Sequence, residues 1–437
     1  MTDSTFAVIG AGPSGLAAAR NLQRRGLPWV GYELGSGVGG LWDIDSPRST
    51  VYESAHLISS RTTTQFTEFP MAEGVADYPS HRELAAYFNA FADEFDLRSG
   101  FHFDTEVTAV RRDGDAWAVT VRDASGEHTH RHAGVLLANG TLSEPNVPTF
   151  AGQDTFTGEI LHTSSYKRGE QFAGKRVLII GAGNSGCDIA VDAVHHAAAI
   201  DMSVRRGYHF VPKYVLGKPA DTLNQGKPLP PRIKQFIDSR VLKLFTGDPV
   251  KFGFPEPDHA IYESHPIVNS LILHHLGHGD LRVRPDIDRF DGDEVVFADG
   301  SRTAYDLVVL ATGYALHYPF VDAGLLGWSG PGSGSAPDLY LNVFARGADA
   351  RGLFVLGMIE ASGIGWQGRY EQADLVAGYL AAQTAGSDVT AFEKRIDDAH
   401  PDLSGGYKYL GLERMAYYVN KDAYRNAVRR EAEEFGP

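Results

Sequence analysis

Two glycine-rich loops in this sequence have the spacing of dinucleotide-binding sites. The first follows the apolar run 6–9, and the second follows the apolar run 177–180. The first glycine of such a loop permits a sharp turn, the second lets a pyrophosphate approach the backbone, and the third lets the helix lie close to the strand. Free N–H groups at the start of that helix bind the phosphates. The candidate phosphate-binding residues are Gly10, Gly12, Pro13, Ser14 and Gly15 in the first loop and Gly181, Gly183, Asn184, Ser185 and Gly186 in the second.

Charged residues at the end of the next strand predict which dinucleotide each loop binds. Glu33 lies near the offset of about 20 residues at which a carboxylate binds ribose hydroxyls, and it would repel a 2′-phosphate. Arg205 and Arg206 take the corresponding place in the second unit, where arginine binds a 2′-phosphate bidentately. The alternatives are a solvated strand-end charge for Glu33 and a surface charge pair for the arginines. The charges assign FAD to the first site and NADPH to the second.

Two nucleotide sites in one chain imply two cofactors that exchange electrons, and the cysteine content limits where those electrons go. The sequence has one cysteine, Cys187, so it has no thiol pair to reduce a disulfide. A separate electron carrier and dioxygen remain as acceptors. Composition does not choose between them.

Composition predicts an ordinary globular protein of two or three domains. The chain has 437 residues and a formal net charge of −15, which argues against nucleic acid or an anionic membrane as a partner. No apolar run approaches the length of about 18 residues that spans a bilayer, and the N-terminus enters a strand too early for a signal peptide. We therefore expect a cytoplasmic location. The pair His274 and His278 lacks an evident third ligand, so no metal site is predicted.

Several secondary structure elements are predicted from local patterns. Ser80 and Glu83 form a capping box that begins a helix, and the alternation over 106–110 and 117–121 predicts a β-meander. Apolar spacing predicts helices over 231–245 and 265–276. The apolar run 306–314, with its glycine turn, is interpreted as the return of the chain to the first domain.

A third set of residues joins the two nucleotide units and carries a family resemblance. The pattern Phe156-x-Gly158-x-x-x-His162-x-x-x-Tyr166-Lys167 resembles the identifying sequence of the flavin-containing monooxygenases, whereas Baeyer–Villiger relatives usually have Trp-Pro or Trp-Asp at its end. Other stretches resemble the same family in the same order along nearly the whole chain. They are Gly39-Gly-Leu-Trp42, Gly181 to Asp188, Ser203 to Gly207, His265-Pro266 and Leu310-Ala-Thr-Gly-Tyr314. We expect His162 to fix the linker between the domains.

The resemblance implies a single-component monooxygenase that uses FAD and NADPH. NADPH reduces FAD, the reduced flavin forms a C4a-(hydro)peroxide with dioxygen, and one oxygen passes to a soft nucleophile: nitrogen, sulfur or an indole-like carbon. Two alternatives stay open: Baeyer–Villiger oxygenation of a carbonyl compound, and an NADPH:acceptor flavin reductase that oxygenates nothing. Family members place further cofactor contacts at positions that here are Gly40, Leu41, Trp42, Val107, Thr312 and Gly313.

The sequence departs from the family pattern at the active site. The family's active-site Asn falls on Ile58, which cannot donate a hydrogen bond, so Ile58 and its neighbour Ser59 are the candidate catalytic positions. Either Ser59, Ser60 or a water replaces the Asn, or the oxygenated flavin is shorter-lived here, or its reactivity has shifted. Room for a different substrate is a further alternative. A second departure is Asp374, where many relatives have Arg.

The predicted fold class is α/β, with two doubly wound Rossmann-like domains and the NADPH domain inserted into the FAD domain. The predicted boundaries are 1–167 for the first part of the FAD domain, 168–283 for the NADPH domain, and 284–437 for the return to the FAD domain with C-terminal helices. The expected partners are a small-molecule substrate and dioxygen, without nucleic acid or membrane, and a homodimer is the candidate oligomeric state.

Overall fold

The computed structural model describes residues 4–224 and 229–436, which form two compact units. The first unit comprises residues 1–49, 61–143 and 315–437, and the second comprises residues 50–60 and 144–314. Each unit has its own sheet and its own hydrophobic core. The second unit is inserted into the chain of the first, as predicted.

The elements follow in chain order. The helices are α1 (Pro13–Arg24), α2 (Arg61–Thr64), α3 (His81–Glu94), α4 (Asn184–Ala193), α5 (Pro231–Thr246), α6 (Leu271–His278), α7 (Gly365–Thr384), α8 (Thr390–Asp398) and α9 (Lys421–Ala432). The strands of the first half are β1 (Phe6–Ile9), β2 (Trp29–Tyr32), β3 (Phe101–His102), β4 (Glu106–Asp113), β5 (Ala116–Asp123), β6 (Gly126–His132), β7 (Gly134–Leu137), β8 (Glu144–Pro145), β9 (Glu159–His162), β10 (Arg176–Ile180) and β11 (Ala199–Ser203). Those of the second half are β12 (Tyr214–Val215), β13 (Lys218–Pro219), β14 (Arg282–Arg284), β15 (Ile287–Asp291), β16 (Glu294–Phe297), β17 (Arg302–Ala304), β18 (Leu307–Leu310), β19 (Tyr314–Ala315), β20 (Leu339–Tyr340), β21 (Phe344–Ala345) and β22 (Leu353–Val355).

The sheet of the first unit has the order β20-β21-β22-β7-β1-β2-β3, and its strands from β22 to β3 are parallel. Strand β1 lies inside the sheet, between β7 and β2, and is wholly buried, as a run of apolar residues in a parallel sheet should be. Helix α1 begins with Pro13 at its first turn, a position that does not need an amide hydrogen. The predicted meander is the antiparallel sheet β4-β5-β6, and the predicted capping box begins α3.

The sheet of the second unit has the order β14-β11-β10-β18-β9, and all its pairs are parallel. Its core includes Leu178, Val308, Phe290 and Phe297. The antiparallel sheet β15-β16-β17 contributes the last two of these residues. Together the two parallel sheets confirm the predicted α/β class with two dinucleotide-type units.

Two predictions differ from the structure, the sheet that the run 306–314 joins and the bounds of one helix, and a third concerns the places at which the chain divides into units. The run 306–314 was expected to return to the first domain, but β18 pairs with β10 in the second sheet. The helix expected over 265–276 begins only at Leu271 and ends at His278. The boundaries 1–167, 168–283 and 284–437 stay a prediction; the compact units divide the chain elsewhere, because β9 and β18 both lie in the second sheet.

No helix of the described residues combines the length and the apolar character needed to cross a membrane.

Candidate functional site

The first glycine loop is shaped by close backbone contacts that only glycine allows. Gly10 has a φ of +102°, and a Cβ on it would lie 2.6 Å from the carbonyl oxygen of Ala138. A Cβ on Gly15 would lie 1.8 Å from the Gly10 oxygen, so α1 passes directly over the turn. These contacts give the first and third glycines the roles that their spacing predicts.

The second loop repeats this geometry in the second unit. Gly181 has a φ of +105°, and a Cβ on it would lie 2.5 Å from the oxygen of Ala311. A Cβ on Gly186 would lie 2.4 Å from the Gly181 oxygen. In each unit, the strand next to the glycine loop ends in an Ala-x-Gly turn whose alanine carbonyl lies under the loop. The candidate residues Thr312 and Gly313 therefore lie at the second loop, and the Thr312 hydroxyl donates to the oxygen of Asn146 at 2.5 Å.

Both helices that follow the loops begin without a capping side chain. The N-cap residues are Gly12 for α1 and Gly183 for α4, and neither helix receives a side-chain cap. A Cβ on Gly183 would meet nothing within 4 Å, which leaves room for a ligand against the backbone. A Cβ on Gly12 would instead lie 3.5 Å from the Cα of Gly40, so only the second helix start faces open space at this position. The uncapped N–H groups of both helices fit the phosphates of a dinucleotide.

A buried acceptor beside the first loop also fits a bound dinucleotide. Asn139 follows strand β7, and its Cα lies 3.5 Å from where a Cβ of Gly10 would be. Its Nδ2 donates to the oxygen of His317 at 2.9 Å, whereas its buried Oδ1 has no partner among the described residues. A hydroxyl or amino donor of a dinucleotide would satisfy this oxygen.

Glu33 lies at the end of β2, buried against the first loop. Its Oε2 accepts from the Ala11 amide at 2.6 Å, and its Oε1 accepts from the Gly35 amide at 2.7 Å. Burial raises the pKa of Glu33, and the two amides oppose that shift. Each oxygen keeps a second lone pair, so the carboxylate that shapes the loop retains acceptor capacity for a ribose.

The glycine cluster 39–42 lies against the first loop. The Gly39 amide donates to the oxygen of Ala11 at 3.0 Å, and a Cβ on Gly40 would lie 2.9 Å from the Cα of Gly12. Gly40, Leu41 and Trp42 form a short turn, and the Trp42 ring meets the Trp366 ring edge-on at 6.1 Å. Val107 differs from this group, because its side chain is buried in the first core and only its backbone remains for a cofactor.

The basic residues of the second unit do not occupy the register position of Glu33. Ile9 pairs with Tyr32 and Ile180 pairs with Ser203, so the residue that corresponds to Glu33 is the buried Val204. Arg205 comes one residue later and is exposed. Arg206 forms an ion pair with Asp258 at 3.1 Å. Arg205 is therefore the better candidate for a 2′-phosphate, a distinction that the sequence did not make.

Helix α4 uses its polar side chains to hold neighbouring segments. Asn184 accepts from the Val268 amide at 2.7 Å, and its Nδ2 lies 3.3 Å from the oxygen of Pro266. Asp188 accepts from Asn269 at 2.6 Å. The side-chain amide of Asn184 thus binds the segment 266–269. Ser185, in the same first turn of the helix, is half-buried. Sequence reasoning missed Asp188 and Asp192, although a polar residue at every fourth position of one helix face is a readable signal.

The candidate catalytic positions lie in a segment of the second unit. Ile58 and Ser59 are both half-buried. Ser60 is buried, and its amide and hydroxyl both donate to Oδ2 of Asp221, at 2.7 and 3.0 Å. Ser60 is thereby committed to Asp221, which weakens its candidacy as a replacement for the missing Asn. Asp374, the second departure, forms an ion pair with Arg25 at 3.4 Å.

His162 connects two strand ends inside the second unit. Its Nε2 donates to the oxygen of Gly313 at 3.0 Å, and its Nδ1 accepts from the Ser164 amide at 3.1 Å. Burial lowers the pKa of His162. The neutral ring therefore joins the end of β9 to the turn after β18. Both ends of this contact lie in the second unit, so it does not fix a linker between the two units as expected from the sequence.

Among the described residues, a histidine cluster at the end of α6 and the single cysteine are the groups that could bind a metal or act as a thiol. The pair considered from the sequence, His274 and His278, is not the group that converges; instead His275, His278 and Asp280 place one ligand atom each within 4.8 Å of one another. Asp280 accepts from His275 at 2.8 Å across the glycine that ends α6, a contact that a helix terminus explains. Cys187 is buried, and burial raises its pKa, so the thiol is not a nucleophile.

Comparison with known proteins gives consistent matches over most of the chain. A family model described as flavin-binding monooxygenase-like matches residues 3–381. Flavin-containing monooxygenase 5 of Oryctolagus cuniculus is 30% identical over 391 residues, which cover 83% of this chain and 70% of the relative. A probable indole-3-pyruvate monooxygenase of Arabidopsis thaliana is 30% identical over 321 residues, covering 71% and 75%. In fold, the structure of an oxidized steroid monooxygenase bound to NADP matches with a TM-score of 0.70 at 21% identity, covering 98% of this chain and 97% of that one.

Proposed function

The chain belongs to the flavin-binding monooxygenase-like family, and we propose that its first unit holds FAD and its second unit holds NADPH. It is a flavin-dependent monooxygenase that uses NADPH and dioxygen and transfers one oxygen to a nitrogen, sulfur or carbon nucleophile. This membership confirms the resemblance drawn from the joining pattern, and with it the predicted cofactors. The residues that hold each cofactor, and the substrate, belong to the proposal.

The assignment of the cofactors rests on one observation: both units have the same loop geometry, but the charged residue near each loop has the opposite sign. Each unit offers an uncapped helix start beside a glycine turn. The first loop is bonded to the carboxylate of Glu33, whereas the exposed cation Arg205 follows the strand beside the second. A carboxylate favours ribose hydroxyls and repels a 2′-phosphate, and arginine attracts it. The charges therefore support FAD in the first unit and NADPH in the second.

The protein residues supply binding and orientation, and the flavin, when bound, supplies hydride acceptance and reaction with dioxygen. Gly10, Gly12 and Gly15 give the FAD pyrophosphate access to the backbone of the first unit. Gly181, Gly183 and Gly186 do the same for NADPH, and the N–H groups of each helix start donate to the phosphates. Arg205 holds the 2′-phosphate.

Family membership, together with the absence of a thiol pair, supports dioxygen rather than a separate electron carrier as the acceptor of the electrons. A disulfide exchange route needs two thiols, and the sequence has one cysteine, which is buried. The pattern that ends in Tyr166-Lys167 supports oxygenation of a soft nucleophile over Baeyer–Villiger insertion. In this protein the Tyr166 hydroxyl donates to Asp192. Tryptophan has no hydroxyl, and its indole N–H lies at a different place on the ring.

Isotope labelling of the product tests the oxygenation. Purified protein that contains FAD is supplied with NADPH and ¹⁸O₂, together with an amine, a sulfide and a ketone in separate reactions. We expect one ¹⁸O atom in the amine or sulfide product. Label in a ketone-derived ester would instead establish the Baeyer–Villiger alternative. NADPH consumption with unlabelled products throughout would contradict both oxygenation reactions and leave a flavin reductase.

For the setting of the reaction, we infer a cytoplasmic enzyme acting on a small molecule, without nucleic acid or membrane as a partner, and a homodimer as its oligomeric state. The net charge of −15 and the single cysteine support the location and the absence of anionic partners. Cell fractionation tests the location, and light scattering after size-exclusion chromatography tests the dimer. A monomeric mass would overturn the dimer.

A further inference from the structure

Residues 50–60, here called the strap, belong by their contacts to the second unit, although the chain on both sides belongs to the first. The strap carries Ile58 and Ser59, the positions at which the family has its active-site Asn and that residue's neighbour. The contacts that hold the strap therefore decide to which nucleotide loop these two residues are fixed in position. The hydrogen bonds that hold the strap go to residues of the second unit.

The middle of the strap is held by helix α4. The hydroxyl of Ser54 donates to Oδ2 of Asp192 at 2.9 Å, and the hydroxyl of Tyr52 lies 3.3 Å from Oδ2 of Asp188. Asp188 and Asp192 are four residues apart and so lie on one face of the helix. The N-cap of that helix is Gly183, in the second glycine loop. The strap is thus attached to the same helix whose first turn faces the proposed NADPH phosphates.

The last two residues of the joining pattern hold the strap from another element. The Tyr166 hydroxyl donates to the same Asp192 oxygen that Ser54 contacts, and the Tyr166 ring lies 5.5 Å from the Tyr52 ring. The oxygen of Lys167 accepts from the Glu53 amide at 2.9 Å. The Lys167 ammonium donates to the oxygen of Val51 at 3.1 Å. The family-identifying Tyr-Lys therefore meets the strap with both side chains.

The far end of the strap is fixed by a third carboxylate. The two hydrogen bonds from Ser60 to Asp221 come directly after Ile58 and Ser59 in sequence. Residues 58 and 59 are therefore bracketed by fixed points at Ser54 and Ser60, both made by side chains of the second unit. A carboxylate that accepts two hydrogen bonds fixes both donors more firmly than one bond would.

We propose that Asp192 is a positioning residue of the oxygenation reaction, which binds Ser54 and Tyr166 together and so fixes residues 58 and 59 relative to the NADPH loop. Asp188 supports it through Tyr52. The inference rests on the proposed function, because it assigns the strap to an active site. If the strap is loosened, we expect more of the oxygen consumed to be released as hydrogen peroxide instead of entering the product. The two glycine loops should remain intact.

The test removes single donors to Asp192 in the full-length enzyme containing FAD. The variants are Ser54→Ala, which changes an exposed residue, and Tyr166→Phe. The matched control is Tyr305→Phe, because the Tyr305 hydroxyl also donates to a carboxylate of the second unit, Asp201 at 2.6 Å, without touching the strap. Ser54→Thr keeps a hydroxyl and serves as the conservative rescue.

Two readouts are measured for each variant: hydrogen–deuterium exchange of peptides covering 50–60 with NADP⁺ present, and hydrogen peroxide released per NADPH consumed. We expect Ser54→Ala and Tyr166→Phe each to speed exchange in the strap by about tenfold and to raise peroxide release by about threefold. Ser54→Thr should restore both values. Tyr305→Phe should change neither the exchange of the strap nor the peroxide release, even if it lowers the melting temperature as much as Ser54→Ala or Tyr166→Phe does.

Two outcomes would overturn the inference. Unchanged strap exchange in both variants would show that Asp192 does not hold the segment. Equal peroxide release from Tyr305→Phe would show a general loss of stability. Failure of the proposed function is distinguishable, since a wild-type enzyme that oxygenates nothing would still give strap exchange rates that confirm or refute the attachment.

Discussion

His162 and Gly313 are joined by a hydrogen bond of 3.0 Å from the imidazole Nε2 to the backbone oxygen. This bond connects the histidine of the family-identifying pattern to the glycine of the Ala-Thr-Gly-Tyr turn, 151 residues later in the chain. Two motifs that are separate in the sequence thus form one structural unit at the ends of β9 and β18. The buried ring has a neutral form with one donor and one acceptor, and both are used.

Replacing this histidine should destabilise the second unit. In His162→Ala the Gly313 oxygen and the Ser164 amide both lose their partner, so we expect the free energy of unfolding to fall by about 1 to 3 kcal/mol. Denaturant unfolding followed by fluorescence measures this change. His128→Ala, at an exposed position, is the control and should change stability by less than about 0.5 kcal/mol. Equal losses of unfolding free energy in the two variants would show that the hydrogen bonds of His162 do not stabilise the second unit.

The same bond predicts a pH dependence. The fold lowers the pKa of His162 below its ordinary value of 6.5, because burial disfavours the charged ring. The neutral form is therefore favoured by folding, and its contribution is complete above pH of about 6.5 and lost as the pH falls through the folded pKa. The stability difference between wild type and His162→Ala should shrink from about pH 7.5 to pH 5. A difference that grows on acidification would show that folding favours the charged ring and would contradict the lowered pKa.

The two arginines of the second unit should contribute unequally to NADPH binding. Arg205 is exposed, whereas Arg206 is paired with Asp258. We expect Arg205→Ala to raise the KM for NADPH by about tenfold or more, with little change in the KM for NADH, because the lost partner is the 2′-phosphate. Arg206→Ala should raise it by less. Steady-state kinetics with both nucleotides decides this, and a larger effect of Arg206→Ala would place the 2′-phosphate elsewhere.

The glycines of the second loop should separate binding from folding. A Cβ on Gly183 meets nothing within 4 Å, so Gly183→Ala should fold normally, with a melting temperature within about 2 °C of wild type. Its methyl group occupies the space in which a pyrophosphate approaches the backbone, so NADP⁺ affinity should fall by about tenfold. Isothermal titration calorimetry of the flavin-loaded protein measures that affinity.

The control for this prediction is Gly186→Ala. Its Cβ would lie 2.4 Å from a backbone oxygen, so overpacking should cost about 1 to 3 kcal/mol of stability. A Gly183→Ala protein that binds NADP⁺ as tightly as wild type would show that the nucleotide does not use this loop. Unfolding of Gly183→Ala would show instead that the space is needed by the protein.

Restoring the family residue at position 58 should improve coupling. Ile58→Asn adds a hydrogen-bond donor where isoleucine has none, and a positioned donor in an active site stabilises developing charge. We expect hydrogen peroxide released per NADPH to fall by about threefold. Ile58→Leu, which adds no donor, is the matched control. An unchanged or higher peroxide yield in Ile58→Asn, or an equal fall in Ile58→Leu, would count against this position.

Local patterns were sufficient for much of the fold. The glycine loops, the capping box at Ser80 and the meander over β4 to β6 all depend on neighbours within a few residues, so their sequences specify them directly. Helix α5 follows the predicted apolar spacing over nearly its whole length. The family pattern then specified the order of the two nucleotide units in the chain.

Partners distant in sequence were not specified in this way. An apolar strand such as β18 fits either parallel sheet, and only its pairing with β10 decides that it lies in the second unit. The register that gives Val204, rather than an arginine, the position equivalent to that of Glu33 likewise comes from strand pairing. A one-residue difference in register cannot be read from the charge of Arg205 and Arg206 alone.

The sequence by itself predicted two dinucleotide loops with residues of opposite charge after the next strand, and it determined that the chain has no thiol pair and carries the motifs of one oxygenase family. Only the tertiary structure decided what those motifs hold: that His162 binds Gly313, and that Tyr166 and Ser54 share the carboxylate of Asp192. The reason is physical. A glycine turn is fixed by backbone sterics within a few residues, whereas a hydrogen bond between distant side chains exists only after the sheets have brought them together.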